Sequence, residues 1–299
     1  MKIGLLTNKE DSYFCRQFAK ELSEFDSKAI LQIIKPSKCA LELENSKPQL
    51  LYDNQTLKEI DYYIPRILPR SMSFDFEIIK HIEHTGQRLI NNTKTFEHSK
   101  NRFSAMQHLK RLEDIKVPKS LLIKNRKQLK NTLDENFELP VMLKTLSARP
   151  RGLDSIYIDN LKNAELFLDI NFMFESFFKR DQGIIIQEYL PQNPNISNHC
   201  VIIAGQIEEC FSQQKYILGD KNFDPRHKEF KRLELSENDK NQMIKIAKTF
   251  NMDFGLISYI ETQESKYFYN VNPVFDPEKY EKDYGLNIIS RLIRSCIFH

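Results

Sequence analysis

A lysine inside an apolar run is the residue of this sequence with the most to explain. Lys144 lies in VMLKTL (141–146), where a strand with apolar neighbours would bury its ammonium. A charge there needs a partner of opposite sign, or a stem long enough to carry it to water. A core carboxylate would serve, and so would a phosphate. The phosphate reading gains from GIIIQEYL (183–190), a later apolar strand that ends in the hydrogen-bonding groups of Gln187, Glu188 and Tyr189. A cationic strand beside such a strand is the layout of a cleft for a purine and its phosphates. Other cations are candidates as well. Arg66 in YIPRI (63–67) either faces a substrate or caps a strand end. Arg149 and Arg151 flank Pro150 in a loop. Arg226, His227, Lys228, Lys231 and Arg232 form a basic run that holds a phosphate or an acidic peptide, or is a solvated face.

The elements that must position these groups follow from periodicity. Residues 1–92 alternate strand and helix signals. KIGLLT (2–7) precedes Phe14, Phe18 and Leu22 at helical spacing; then come ILQII (30–34), DYYIPRI (61–67), the amphipathic FDFEIIKHIEH (74–84) stopped at Gly86, and RLI (88–90). Such alternation builds a parallel sheet with helices on its faces. Residues 93–189 read as a second α/β unit. It holds a basic helix over 98–112, VPKSLLI (117–123), a helix near 126–135, the Lys144 strand, SIYI (155–158), a helix around 161–179 and GIIIQEYL. Residues 190–299 open with the hairpin CVIIAGQIEECF (200–211), turning at Ala204-Gly205. A helix capped by Ser236 follows. The strands FGLISYIET (254–262) and KYFYNVN (266–272) and the helix NIISRLIRSCIF (287–298) close the chain.

Composition bounds the function classes. A chain of 299 residues with 40% hydrophobic residues and 21 phenylalanines can bury more than one core, and 28% charged residues keep its surface hydrated. The formal net charge of +3 is too small and too dispersed for a nucleic-acid footprint. The first apolar run stops at Thr7, too short for a signal segment, and no run approaches the ~20 apolar residues of a membrane helix. The 5 cysteines are odd in number, widely spaced and outside any ligand pattern, so all are expected as reduced thiols in a cytoplasmic protein.

Taken in order, MKIGLLT (1–7), YFC (13–15), KPSKC (35–39), YIPRI, NNT (91–93), SAMQHL (104–109), VMLKTL, IIQEYL (185–190), HCVIIAG (199–205) and VNP (271–273) resemble the RimK-type ATP-grasp ligases along nearly the whole chain. The resemblance implies an α/β protein with α+β lobes, an ATP-grasp fold behind an amino-terminal parallel-sheet domain. It also implies ATP held between two lobes, and ligation of an amine to a carboxylate through an acyl phosphate. On this resemblance Lys144 contacts phosphate and Arg102 supplies a second cation from its helix. Gln187, Glu188, Tyr189 and Leu190 line the adenine, Ser197 adjoins the nucleotide, and Arg66 faces the substrate. The basic run adds Arg226 and His227 as candidate catalytic groups.

The chain departs from the family where chemistry is most demanding. The family's glycine-rich loop is here LSARPRGLDS (146–155), which keeps only Gly152. The magnesium positions, acidic in the family apart from one asparagine, are Ser258, Asn270 and Asn272. Hard dications favour carboxylate oxygens, so this ligand set is depleted. Ser197 and His199 stand for an aspartate and an arginine, and Gln213 and Gln214 for arginines. Two functions remain open: an ATP-dependent ligase joining an amino acid to a protein or small acid, and a catalytically degenerate module that binds a nucleotide or partner. Transfer of phosphate or nucleotide on the same scaffold is a remoter third. The expected partners are a nucleotide and an amino-acid or acidic-peptide substrate, without membrane or nucleic acid; self-association stays open.

Overall fold

The computed structural model describes residues 1–43, 48–57, 60–67, 74–124, 127–146, 155–164, 183–190, 196–214 and 230–297. The loop arginines Arg149 and Arg151, most of the helix expected at 161–179, and Arg226, His227 and Lys228 lie outside them.

The amino-terminal sheet is parallel, as the alternation predicts. Its strands are β1 (Lys2–Leu6), β2 (Ile30–Ile34), β6 (Tyr62–Pro65) and β7 (Arg88–Leu89), in the order β2-β1-β6-β7. Between them, β3 (Cys39–Glu42), β4 (Gln49–Tyr52) and β5 (Gln55–Thr56) form a small antiparallel sheet that periodicity does not reveal. Its strands are too short to alternate more than once. Helix α1 (Tyr13–Phe25) starts at Ser12, whose hydroxyl accepts from the Cys15 N–H, and buries Phe14, Cys15, Phe18 and Leu22. Helix α2 (Phe74–His84) covers the other face with Phe76, Ile78, Ile79 and Ile82.

The single basic helix expected over 98–112 is instead two, α3 (Thr93–Ser99) and α4 (Arg102–Lys110). The Asn92 carboxamide accepts from Thr95 N at 3.2 Å and that of Asn101 from Ser104 N at 2.8 Å. Two asparagine caps nine residues apart start two helices, and continuous helical spacing conceals the second start.

The central sheet is antiparallel, with β8 (Ser120–Ile123), β9 (Val141–Thr145), β10 (Ser155–Ile158) and β11 (Ile184–Glu188) in the order β10-β9-β11-β8, backed by α5 (Lys127–Asn136). The carboxy-terminal sheet runs β14-β13-β12-β15-β16, from β12 (Ile196–Ile203), β13 (Gln206–Gln214), β14 (Phe230–Arg232), β15 (Phe254–Glu261) and β16 (Lys266–Asn272). Ala204 and Gly205 both adopt positive φ, 51° and 69°, the left-handed pair a two-residue hairpin turn requires. Ser236 caps α6 (Glu237–Phe250), as its position predicts. Helices α7 (Glu278–Tyr284) and α8 (Ile288–Ile297) complete the chain.

The carboxy-terminal sheet is covered on both faces. One face packs on α6 and α4 through Met243, Ile246, Phe250, Ala105 and Leu109. The other shares a core with β1, α1 and α8, so the first and last parts of the chain pack as one body. Asn91 ties that junction: its side chain accepts from Asp253 N and Phe254 N at 2.8 and 2.9 Å and donates to Phe254 O at 2.7 Å. The expectation of 5 reduced thiols is corrected at one pair. Cys200 and Cys210 are direct cross-strand partners with Cα atoms 4.3 Å apart and form a disulfide, while Cys15, Cys39 and Cys296 are free. Spacing along the chain does not show that a hairpin register brings two cysteines face to face.

Candidate functional site

Register decides which side chains leave the central sheet toward the carboxy-terminal one. β9 and β11 pair Met142 with Gln187 and Lys144 with Ile185, which puts Met142, Lys144, Ile185 and Gln187 on one face. Leu143, Ile184 and Ile186 point the other way into the core under α5. Lys144 is thus buried on the face opposite the α5 core, at 8% exposure. Its ammonium donates to Gln187 Oε1 and stands 5.1 Å from the centre of the Tyr269 ring. Gln187 is itself fixed, with its Nε2 donating to Ser120 Oγ at 2.8 Å and lying 3.2 Å from Met106 Sδ. An amide oxygen and an aromatic face are thus among the contacts of the buried lysine.

Lys144, Met142, Gln187, Glu188, Tyr189 and Leu190 line one wall of a cavity; the opposite wall is Ile196, Ser197, Ile260 and Tyr269 of the carboxy-terminal sheet. Of the residues singled out in the sequence, Lys144, the whole Gln187–Leu190 segment and Ser197 therefore come together. Glu188 Oε1 accepts from Lys119 N at 2.7 Å, and Glu188 N donates to Lys119 O at 2.9 Å, which anchors the segment to the start of β8. Tyr189 packs edge-on against Tyr157 with ring centres 4.9 Å apart. Arg102 stands at the first turn of α4, its backbone N–H donating to Leu146 O at 3.0 Å, so its helix begins where the Lys144 strand ends.

Arg66 lies elsewhere. Its guanidinium is buried between the amino-terminal and carboxy-terminal sheets, 4.0 Å from the centre of the Phe14 ring, and its Nη2 donates to Phe275 O at 2.7 Å. Burial pushes its pKa down to about 10, against a small opposing pull from Asp276. Its Nη1 is buried without a hydrogen-bond partner. That geometry joins two parts of the fold and leaves one donor direction unused.

Ser258, Asn270 and Asn272, the positions that the resemblance assigns to magnesium, share a face of the carboxy-terminal sheet. Ser258 pairs with Asn270 and with His199, and Asn272 follows two residues on. His199 Nδ1 lies 2.9 Å from Ser258 Oγ, and its Nε2 lies 3.1 Å from Gln213 Nε2. The imidazole thus bridges the Ser258 hydroxyl and the Gln213 amide, using both ring nitrogens. Asn272 Oδ1 accepts from Val274 N at 3.0 Å. Glu261, on the opposite face by alternation, pairs with Lys266 at 3.4 Å. Among the described residues no group of three or more His, Cys, Asp or Glu converges as metal ligands. Ser258, Asn270 and Asn272 offer a hydroxyl and two carboxamides, without the carboxylate oxygens that a hard dication favours.

Sequence reasoning missed Tyr269. Strict alternation in β16 would send it away from Asn270, but the β15–β16 register shifts between Ser258 and Tyr259. Ser258 pairs with Asn270 and Tyr259 with Phe268, so Tyr269 is the extra residue of a bulge and joins Asn270 on the cavity face. No residue type in KYFYNVN announces that shift.

Two mostly antiparallel lobes with a lysine-bearing cleft between them, behind a parallel-sheet domain, define an ATP-grasp protein. The family model of the RimK PreATP-grasp domain matches residues 1–96 and that of the RimK-like ATP-grasp domain residues 99–296, so the chain belongs to the RimK-like ATP-grasp family. It is 23% identical to a probable alpha-L-glutamate ligase of Pasteurella multocida (strain Pm70), over 98% of this chain and 93% of that one. Among solved structures it resembles the macrocyclase MdnC of Microcystis aeruginosa MRC bound with precursor peptide MdnA, with a TM-score of 0.70, 16% identity and 100% of both chains covered. It also resembles the D-alanine–D-alanine ligase of Bacillus anthracis complexed with ATP, with a TM-score of 0.69 and 14% identity over 100% of this chain and 96% of that one. At these identities the structural likeness speaks for the fold. No helix among the described residues is long and apolar enough to cross a membrane.

Proposed function

We propose that the protein binds ATP between the central and carboxy-terminal sheets and uses it as a carboxylate–amine ligase. In this reading a carboxylate oxygen attacks the γ-phosphorus, ADP leaves, and an amine displaces phosphate from the acyl phosphate to give an amide. The observation that carries the reading is the convergence of Lys144 with Gln187, Glu188, Tyr189, Leu190 and Ser197 on one cavity. Lys144 would meet phosphate oxygens, with Arg102 as the second cation, and the backbone of Gln187–Leu190 would meet the adenine edge. Arg66 would act toward the substrate through its unused Nη1 direction, and Arg226 and His227 through the basic run. The functional division is 1–92, 93–189 and 190–299, with the nucleotide between the last two. The relatives' names, glutamate ligase and a macrocyclase with its precursor peptide, favour an amino-acid or acidic-peptide substrate.

A second reading rests on a specific observation. The hydrogen-bonded His199–Ser258–Gln213 chain beside Asn270 puts serine, glutamine and asparagine where the resemblance expects carboxylates and arginine, which favours a module that binds a nucleotide or partner without turnover. ATP titrated into the purified protein with and without magnesium, followed by an assay of ADP release with glutamate and candidate acids, separates the two. Binding with ADP release supports the ligase, and binding without release supports the module. Absence of binding under both conditions refutes the ligase and leaves the module only as a binder of a partner.

A further inference from the structure

We propose that Tyr269 gates the cleft from inside, a regulation that rests on the nucleotide site described above. The bulge in β16 aims its ring across β15 so that its hydroxyl hydrogen-bonds Ser197 Oγ on β12, two strands away. Its ring face receives the Lys144 ammonium at 5.1 Å. One side chain thus bridges the two sheets, latched to the carboxy-terminal one by its hydroxyl and to the central one through the lysine. It is 9% exposed, so little of the ring is left for water. The cavity that remains has a volume of about 40 Å³. Room for a few waters is far below the ~300 Å³ or more of a pocket that takes a nucleotide-sized ligand.

In this conformation Tyr269 holds the space beside Lys144, which is the closed state of the proposed gate. A nucleotide and the tyrosine compete for the lysine, because a phosphate placed at the ammonium and a ring placed under it use the same volume. Opening breaks the Ser197 hydrogen bond and the cation–π contact together, while the Lys144 hydrogen bond to Gln187 can persist. Any ligand must supply this opening from its own binding energy, which lowers its apparent affinity by the population of the closed state. Tyr269 therefore sets how much ligand opens the cleft.

The test uses the full chain as Tyr269→Ala, Tyr269→Phe and Ser197→Ala, with two readouts. The first is acetylation of Lys144 by a small amine-reactive reagent, followed by peptide mass spectrometry, which requires no nucleotide. The second is ATP affinity by calorimetry. Tyr269→Ala should raise Lys144 labelling several-fold and tighten ATP binding at least about fivefold, a factor within the range of one net hydrogen bond. Tyr269→Phe and Ser197→Ala keep the ring and lose the latch, and should fall between Tyr269→Ala and the parent. Unchanged labelling in Tyr269→Ala, with a thermal melt showing a folded protein, overturns the gate. Weaker ATP binding in that variant also overturns it, and shows the ring to be part of the binding surface. Raised labelling without ATP binding by any variant keeps the gate and refutes the nucleotide reading instead.

Discussion

Replacing Lys144 by methionine removes the ammonium while keeping an unbranched stem of similar reach, which isolates the charge. In the free protein the ammonium donates to Gln187 Oε1 and faces Tyr269. The substitution leaves that amide oxygen without its donor, a cost of about 1–3 kcal/mol for an unsatisfied buried group. It also removes the desolvation cost of a buried cation, which offsets part or all of that loss. Thermal stability should therefore shift by only a few degrees. Binding is different, because methionine gives a phosphate nothing. A hydrogen bond to a charged group is worth about 1.5–3 kcal/mol, so ATP affinity should fall roughly 10- to 150-fold. The assay is calorimetric titration of ATP into parent and variant, with and without a chelator. Unchanged affinity in Lys144→Met together with complete loss on adding chelator would refute the reasoning, since charge compensation would then come from a metal.

Three further outcomes follow from the geometry. Ser258→Asp with Asn270→Glu should create magnesium-dependent ATP binding that the parent lacks, because direct pairing holds these positions on one face; equal magnesium affinity in the two proteins would count against the ligand positions. Asn91→Ala should cost about 3 kcal/mol or more in urea denaturation, since it strips partners from Asp253 N, Phe254 N and Phe254 O at the junction between the parallel and carboxy-terminal sheets; a loss under 1 kcal/mol would contradict that role. Burial raises the Asp253 carboxyl pKa, so the folded state binds more protons than the unfolded one just above the ordinary carboxylate range, and stability falls there as pH rises. Asp253→Asn should flatten that part of the stability–pH curve, and an unaltered slope would assign it to another group.

How much of this was legible in the sequence depended on which physical signal each feature left. The parallel sheet could be read because strands such as KIGLLT and ILQII are short apolar runs separated by a helix with Phe14, Phe18 and Leu22 on one face. The hairpin at Ala204-Gly205 and the Ser236 cap could be read because local backbone chemistry selects their residue types. Lys144 was visible as a cation inside an apolar strand, and Gln187 as part of the polar segment that ends another. The break at Asn101 was hidden by helical spacing that runs through it. The Cys200–Cys210 pairing and the cavity-facing Tyr269 were hidden more deeply, because both arise from cross-strand register. A bulge reverses the face of a side chain without changing a residue type.

The location of the nucleotide is best tested by amide hydrogen exchange of the full chain, with and without saturating ATP. Protection should concentrate in β9, in β11 through Leu190, and in β16 around Tyr269, while α1 and α2 exchange as before. Protection confined to the amino-terminal sheet, or an exchange pattern unaltered by ATP at millimolar concentration, would contradict a cleft built on Lys144 and Gln187.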